Sequence, residues 1–351
     1  MTATSTHENT PRWISASEWF RIVAPVNSPG EVQVLADAGA SEIYCGVLPP
    51  RWSEKYGDWD SLSRRQGNIA NLSTVDELKK VAQECRRLGI KSSLALNVRY
   101  TEEQIPDVLD LAREWDEAGG TSIIVSNLGV LIALKKEGSR LCRHVSILAN
   151  LTNCEAVRFH LRFGITRVIL PRHLTLSEME ALIAHEPNLE YEAMALNEKC
   201  RFIDGLCGFY HGTMYPEGMA SMFRYEYRGP AKTPTVYAHD LCYAGHGCQV
   251  PFIDENGTPI PQLHRDDVNV PACAACSLVH MQRIGLRFLK IGGRGLPTEL
   301  KLRAVSFLSD AVGLAENGAE SVEMRRLYQN TFGHHCRSSS CYYENDLRMK
   351  G

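Results

Sequence analysis

No stretch of this 351-residue sequence approaches the roughly 20 consecutive apolar residues that a membrane-spanning helix requires. The first twelve residues are polar and lack the apolar centre of a secretory signal. Low-complexity runs are absent, and neither charge sign dominates: 38 Lys and Arg stand against 41 Asp and Glu, a net charge of −3. That balance removes the broad basic footprint of a protein that wraps nucleic acid or lies on an anionic membrane. A local basic patch such as Arg162, Arg167 and Arg172 remains compatible with it, so RNA contact stays open. Two hydrolytic signatures are also missing, His-Glu-x-x-His and Gly-x-Ser-x-Gly. A Cys–His nucleophile leaves no such local signature, because its partners meet only in space. These absences point to a cytoplasmic, globular protein without membrane association.

Short β-rich runs alternate with helices that carry explicit start signals, the pattern of a parallel α/β fold. Strands are expected at 20–26, 42–48, 91–97, 122–127, 144–150, 167–171, 189–196 and 287–291. Capping boxes are expected at Ser28 with Glu31, Thr101 with Gln104 and Thr175 with Glu178, and a near variant at Ser73 with Asp76. Eight strands with helices between them favour a closed (β/α)8 TIM-like barrel over an open doubly wound sheet. The expected organisation is a frayed tail over 1–18, a barrel over 19–320 and a C-terminal tail or lid over 321–351. Two connections exceed what a barrel needs, 49–72 and 197–286, and insertions after barrel strands are where sites are built.

Twelve cysteines are many for a reducing compartment, where disulfides rarely persist. Cys85 falls on the apolar stripe Leu78–Val81–Ala82–Leu88, and Cys45, Cys142 and Cys154 also read as core. Six others, Cys200, Cys207, Cys242, Cys248, Cys273 and Cys276, sit in or beside the second insertion. Thiolates are the ligands that iron–sulfur clusters and structural zinc prefer. A zinc ribbon wants two tight Cys-x-x-Cys knuckles, and in the insertion only Cys273–Cys276 qualifies, so a 4Fe-4S cluster is favoured and zinc is the alternative.

At these residues the sequence resembles the U32 peptidase family, the collagenase-like proteins. The opening Ala24-Pro-Val-Asn-Ser-Pro-Gly-Glu31, the run Ala38 to Gly46, Glu192 leading to Cys200 and Cys207, and Lys290-Ile-Gly-Gly-Arg294 carry the likeness. The resemblance implies either peptide hydrolysis or, as in other members, a 4Fe-4S cluster serving oxygen-independent hydroxylation of an RNA base or small organic substrate. Some such members draw oxygen from prephenate, which implies a prephenate-like donor as partner. Carried across, the cluster ligands would be Cys200, Cys207, Cys242 and Cys273, with Cys248 and Cys276 as alternates. A zinc-stapled scaffold protein is the third reading, and a homo- or heterodimer is compatible with the sequence. Ala193-Met-Ala-Leu-Asn197, Asp204-Gly-Leu206 and Gly292-Gly293 depart from the family's usual motifs where substrate would sit.

Strand carboxyl ends point into a barrel's mouth. That rule nominates Tyr44, Asn97, Asn127, Asn150 and His173 for substrate binding, each asparagine being equally able to cap the following helix. Arg172 and Arg294 are expected to clamp a carboxylate. Glu192 is expected either as a general acid or base, if burial raises its pKa, or as the structural partner of an arginine inside the barrel. The Gly292–Gly295 turn reads as an anion cradle or a plain tight turn. His334, His335, Cys336 and Cys341 are expected in a lid or ordered tail, or at a second metal.

Overall fold

The computed structural model describes residues 19–57, 61–65, 69–200, 203–206, 271–336 and 340–343, with the backbone of four short strands between 223 and 260. Seven parallel strands run in chain order: β1 (Arg21–Pro25), β2 (Glu42–Cys45), β3 (Lys91–Leu96), β4 (Ser122–Val125), β5 (Cys142–Val145), β6 (Arg167–Ile169) and β7 (Glu190–Leu196). Two antiparallel hairpins follow, β8 (Phe223–Tyr225) with β9 (Val236–Ala238) and β10 (Phe252–Ile253) with β11 (Pro259–Ile260). The last strand, β12 (Phe288–Ile291), pairs with β7 on one side and β1 on the other. The sheet is therefore a closed eight-stranded parallel barrel with helices on its outside, as the strand count implies.

Two layers of burial hold it. Outward strand residues pack against the amphipathic faces of the helices. In α3 (Val75–Leu88), Leu78, Val81, Ala82, Cys85 and Leu88 are all buried. Each large apolar side chain so covered contributes about 1.5–3 kcal/mol relative to exposure. Inside the barrel a separate apolar layer forms from Val23, Tyr44, Ile124, Ile169 and Phe288.

The start signals are realised unevenly. Thr175 and Glu178 form the expected box at α7 (Leu176–His185). At α3 the cap is Thr74, whose side chain accepts from the Glu77 N–H, while Glu77 accepts from the Ser73 N–H at 2.8 Å. The box is thus one residue later than Ser73–Asp76. At α4 (Ile105–Glu117) the Thr101 N–H donates to Gln104 Oε1 at 3.0 Å, but Gln104 itself is the cap residue. Before α1 (Glu31–Asp37) the Ser28–Glu31 box is absent: Gly30 is the cap, without a side-chain bond. Glu31 is instead buried against Lys301 of α9 (Thr298–Glu316) at 2.9 Å, and that long-range ion pair outweighs the local motif.

The fifth strand is also displaced. It begins at Cys142 and ends at Val145, where Ser146 accepts from the Leu148 N–H and opens a 3-10 turn, Ile147–Ala149. Cys142, expected in the core, is exposed at the strand's start, and Cys154 is half-buried as the first residue of α6 (Cys154–Leu161); Cys45 and Cys85 are buried as expected. No helix among the described residues is long and apolar enough to cross a membrane.

Candidate active site at the barrel mouth

The carboxyl ends of the strands enclose a cavity of about 100 Å³, lined by Tyr44, Arg65, Asn97, Ser146, Arg172, Glu198, Lys290 and Arg294 among others. That is room for several waters or the polar end of a small organic molecule. Its floor is the apolar layer, which Tyr44, Ile124 and Ile169 join from the strands. Beneath the floor an ion network fills the barrel. Arg167, fully buried, donates through one nitrogen to Glu42 at 3.0 Å and Glu192 at 2.8 Å, and Lys290 meets the other oxygen of Glu192 at 2.6 Å. The Arg167 guanidinium also lies 3.5 Å from the centre of the Phe288 ring.

That network decides the state of Glu192. Burial pushes its carboxyl up, but the Lys290 and Arg167 charges and their hydrogen bonds outweigh it and hold the pKa below the ordinary value. Glu192 stays ionised, as the structural partner of an arginine inside the barrel, and lies below the cavity rather than in its lining. Glu42, His144 and Glu192 place ligand atoms within 4.8 Å of one another, the geometry of a small metal site. Arg167 and Lys290 already supply the positive charge there, and burial together with those cations draws the His144 pKa well down, leaving a neutral imidazole.

The two clamp arginines differ. Arg172 is bound through two nitrogens to Asp204, so its charge is already met. Among the described residues Arg294 hydrogen-bonds only to neutral groups, Ser63 Oγ at 2.8 Å and Asn71 Oδ1 at 3.4 Å, while the Glu198 carboxylate acts on it through space. Only 5% of Arg294 is exposed, and burial, aided by the neighbouring Arg65 charge and opposed by Tyr44, Cys45 and Glu198, draws its pKa below the ordinary value. A buried guanidinium with neutral partners is electrostatically incomplete, and a bound carboxylate or phosphate would complete it. Beside it Arg65 is paired with Glu198 at 2.5 Å, and the Lys290 ammonium sits 4.0 Å from the centre of the Tyr44 ring.

The nominated substrate residues separate. Tyr44 and Asn97 line the cavity; Asn97 accepts from the Arg64 N–H at 3.1 Å and donates to Ser146 Oγ at 3.2 Å. Asn127 caps α5 (Leu128–Lys136), accepting from the Val130 N–H at 3.2 Å, and stands outside the lining. Asn150 closes the 3-10 turn in the left-handed conformation, φ 54°, with its Oδ1 buried and unpartnered. His173 is exposed beside Glu178 and outside the lining. The Gly292 N–H is spent on the Leu196 carbonyl at 3.0 Å, which makes the glycine turn a fastening to β7.

Sequence reasoning missed Ser63, Arg65, Asn71, Glu198 and the Asp204 partner of Arg172. The first three come from the long connection 49–72, whose length was the one available signal. Asn197 and Glu198 both hold left-handed backbone, φ 62° and 53°, which non-glycine residues reach at a cost.

The thiols gather beside this mouth. Cys200, Cys273 and Cys276 are described; Cys207, Cys242 and Cys248 lie outside the described residues. Cys273 forms an antiparallel bridge with Leu196 at the end of β7 and a parallel bridge with Cys341 of the C-terminal segment. Its Sγ accepts from the Ala275 N–H at 3.3 Å. Burial pushes the Cys273 thiol up, and Cys276, Cys341 and Cys336 push it further.

A model of peptidase family U32 matches residues 27–349. The chain belongs to that family. Within the U32 family and its relatives it is similar to a collagenase of Porphyromonas gingivalis, 29% identical over 163 residues, which are 46% of this chain and 36% of that protein. It is also 24% identical over 186 residues to the tRNA hydroxylation protein P of Escherichia coli, 53% of this chain and 38% of that one. The aligned parts thus span well under half the length of both curated relatives. A U32 peptidase of solved structure superposes with a TM-score of 0.43 at 11% identity, covering 83% of this chain and 98% of that one.

Proposed function

We propose that this U32 protein is an iron–sulfur enzyme of the hydroxylating kind, whose barrel mouth binds a small carboxylate-bearing molecule. The observation that carries the proposal is Arg294, a buried guanidinium that lines the cavity and, among the described residues, hydrogen-bonds only to neutral groups. A carboxylate there would receive two parallel N–H bonds from a charge already desolvated, the arrangement in which guanidinium is most selective. Lys290, paired with Glu192, and Arg65, paired with Glu198, line the same cavity, and Asn97 and Ser146 offer neutral donors and acceptors. A prephenate-like oxygen donor fits that chemistry. The likeness to the tRNA hydroxylation protein P supports an RNA base as one acceptor class.

In net terms a hydroxyl group would pass from the donor to the acceptor, whose C–H bond is oxidised to C–O as the donor's C–O bond is reduced. The protein's own part is to hold the donor's carboxylate at Arg294, with Lys290, anchored by Glu192 beneath the floor, lining the same cavity. The thiols near Cys273 suit an iron–sulfur cluster in chemistry: they are half-buried, and Cys273 is bridged to the end of β7 at the mouth. When bound, such a cluster supplies one-electron chemistry.

The test is anaerobic incubation of the purified protein with prephenate and tRNA lacking hydroxylated bases, followed by mass spectrometry of the nucleosides. Gain of one oxygen on a base that requires prephenate supports the proposal. Peptide cleavage under the same conditions with no oxygen gained would replace it with the hydrolytic reading that the family name and the collagenase relative suggest.

A further inference from the structure

We infer that Glu198 sets the charge selectivity of the barrel mouth: its carboxylate, seated against Arg65, leaves Arg294 to receive one carboxylate and turns away a second anionic group placed beside the first. The inference rests on the carboxylate-binding reading above and deepens it, giving a specificity role to a residue outside the sequence motifs.

Three features place this carboxylate. Glu198 directly follows Asn197 past the end of β7, and both hold left-handed backbone, φ 53° and φ 62°. Asparagine tolerates that conformation, whereas glutamate keeps it only where its surroundings impose it. Hydrogen bonds impose it here. The Asn197 N–H donates to the Ala272 carbonyl at 2.9 Å, its side-chain amide donates to the Gly292 carbonyl at 3.3 Å, and its carbonyl accepts from the Tyr342 hydroxyl. The Glu198 carbonyl accepts from Arg172, which Asp204 holds through two other nitrogens. Gly292, directly after β12, then makes the room. A β-carbon there would fall 2.7 Å from Glu198 Cγ, 2.8 Å from its Oε2 and 2.9 Å from its Cβ, well inside contact distance.

The charges say what the placement does. The Glu198 carboxylate meets Arg65 at 2.5 Å, with 16% and 19% of the two side chains exposed, so water and salt screen the pair only partly. Glu198, Arg65, Tyr44 and Arg294 line one cavity. The Glu198 charge reaches the others: it adds to burial in pushing the Tyr44 phenol up, and it supports the Arg294 guanidinium that the Arg65 charge opposes. Two guanidiniums in one small cavity would suit a pair of adjacent anionic groups. With Glu198 in place the Arg65 charge is met, and a second anion beside Arg294 faces a like charge. A prephenate-like donor, which carries two carboxylates, is then accepted in one orientation, with its second carboxylate turned away from Arg65.

The test titrates acetate and malonate, a single and a double carboxylate, into full-length protein purified anaerobically at neutral pH. Wild type is compared with Glu198→Gln, the double variant Glu198→Gln/Arg65→Gln, and a control, Glu137→Gln, which follows α5 and lies outside the cavity lining. The quantity read is the ratio of malonate to acetate affinity, because loosened packing weakens both ligands alike and leaves that ratio in place. The ratio should rise at least about tenfold in Glu198→Gln, the order that one charge-assisted hydrogen bond supplies. In the double variant it should return to the wild-type value, since the receptor that Glu198 had neutralised is gone. The control should match wild type. An unchanged ratio in Glu198→Gln, with acetate still bound by wild type, overturns the inference and leaves the Arg294 reading intact. A raised ratio that persists in the double variant also overturns it. Failure of every protein to bind either anion overturns the inference and the carboxylate reading together. Glu198→Asp keeps the charge and should keep the wild-type preference; a ratio raised as far as in Glu198→Gln would show that side-chain shape, not charge, sets it, and would overturn the inference.

Discussion

Gly46 faces Arg294 so closely that a β-carbon on the glycine would fall 1.9 Å from Nη1 of the guanidinium and 2.3 Å from Asn71 Oδ1. Glycine directly after the second strand is therefore what lets Arg294 lie across the mouth. Gly46→Ala should displace the guanidinium from Ser63 and Asn71 and weaken binding of a carboxylate ligand at least tenfold. The overpacking itself costs roughly 1–3 kcal/mol. Ligand titration beside a thermal melt separates the two effects, and unchanged affinity would show that Arg294 does not need this seat.

Removing the central cation of the barrel network should be costly. Arg167→Met leaves Glu42 and Glu192 buried with one partner fewer, and the loss of one member of a buried pair typically destabilises by about 3–5 kcal/mol. Chemical denaturation of the two proteins measures it. The same change at Arg158, exposed and paired with Glu155 and Glu186, should alter stability far less, because water and salt screen that pair.

His144 gives the protein an acid-sensitive step. Its folded pKa lies well below the ordinary value near 6.5, so below about pH 6.5 the unfolded chain binds a proton that the folded one refuses. Stability then rises with pH in that window and falls as pH drops through it, by at most about 1.4 kcal/mol per pH unit from this group. His144→Gln should flatten the stability difference between pH 7.5 and 5.5. Glu192, whose folded pKa is lowered, contributes stability that is full above the ordinary carboxylate range and is lost at lower pH, so its loss should appear in a separate, more acidic limb.

Freeing Arg172 should leave the mouth's anion affinity nearly intact. Asp204 binds it through two nitrogens, and Asp204→Asn keeps the shape while removing the charge. If Arg294 is the receptor, prephenate affinity should change less than threefold; a large gain would make Arg172 a second receptor held in check by Asp204.

The fold was legible because each strand is a short apolar run set off by a helix start, and closure follows from eight of them. Local motifs failed where distant charges intervened. Glu31 reads as half of a capping box, but a buried lysine on α9 claims it. The strand expected from His144 was misplaced because its apolar continuation, Ile147 to Ala149, turns into a 3-10 segment once Ser146 bonds to the backbone. In the site, Arg294 and Tyr44 were legible from strand-end position. The neutral hydrogen-bond partners of Arg294 were not, since Ser63 and Asn71 reach it from a connection with no regular period. The meeting of Cys341 with Cys273 is likewise a contact between segments that no spacing rule links.

The most direct test of the account is calorimetric titration of prephenate into anaerobically purified wild type and Arg294→Gln, with Arg172→Gln as the comparison. The account predicts saturable binding to wild type and a loss of at least tenfold in Arg294→Gln, the order expected when a charged, buried hydrogen-bond donor is removed. Equal affinity in wild type and Arg294→Gln would contradict it.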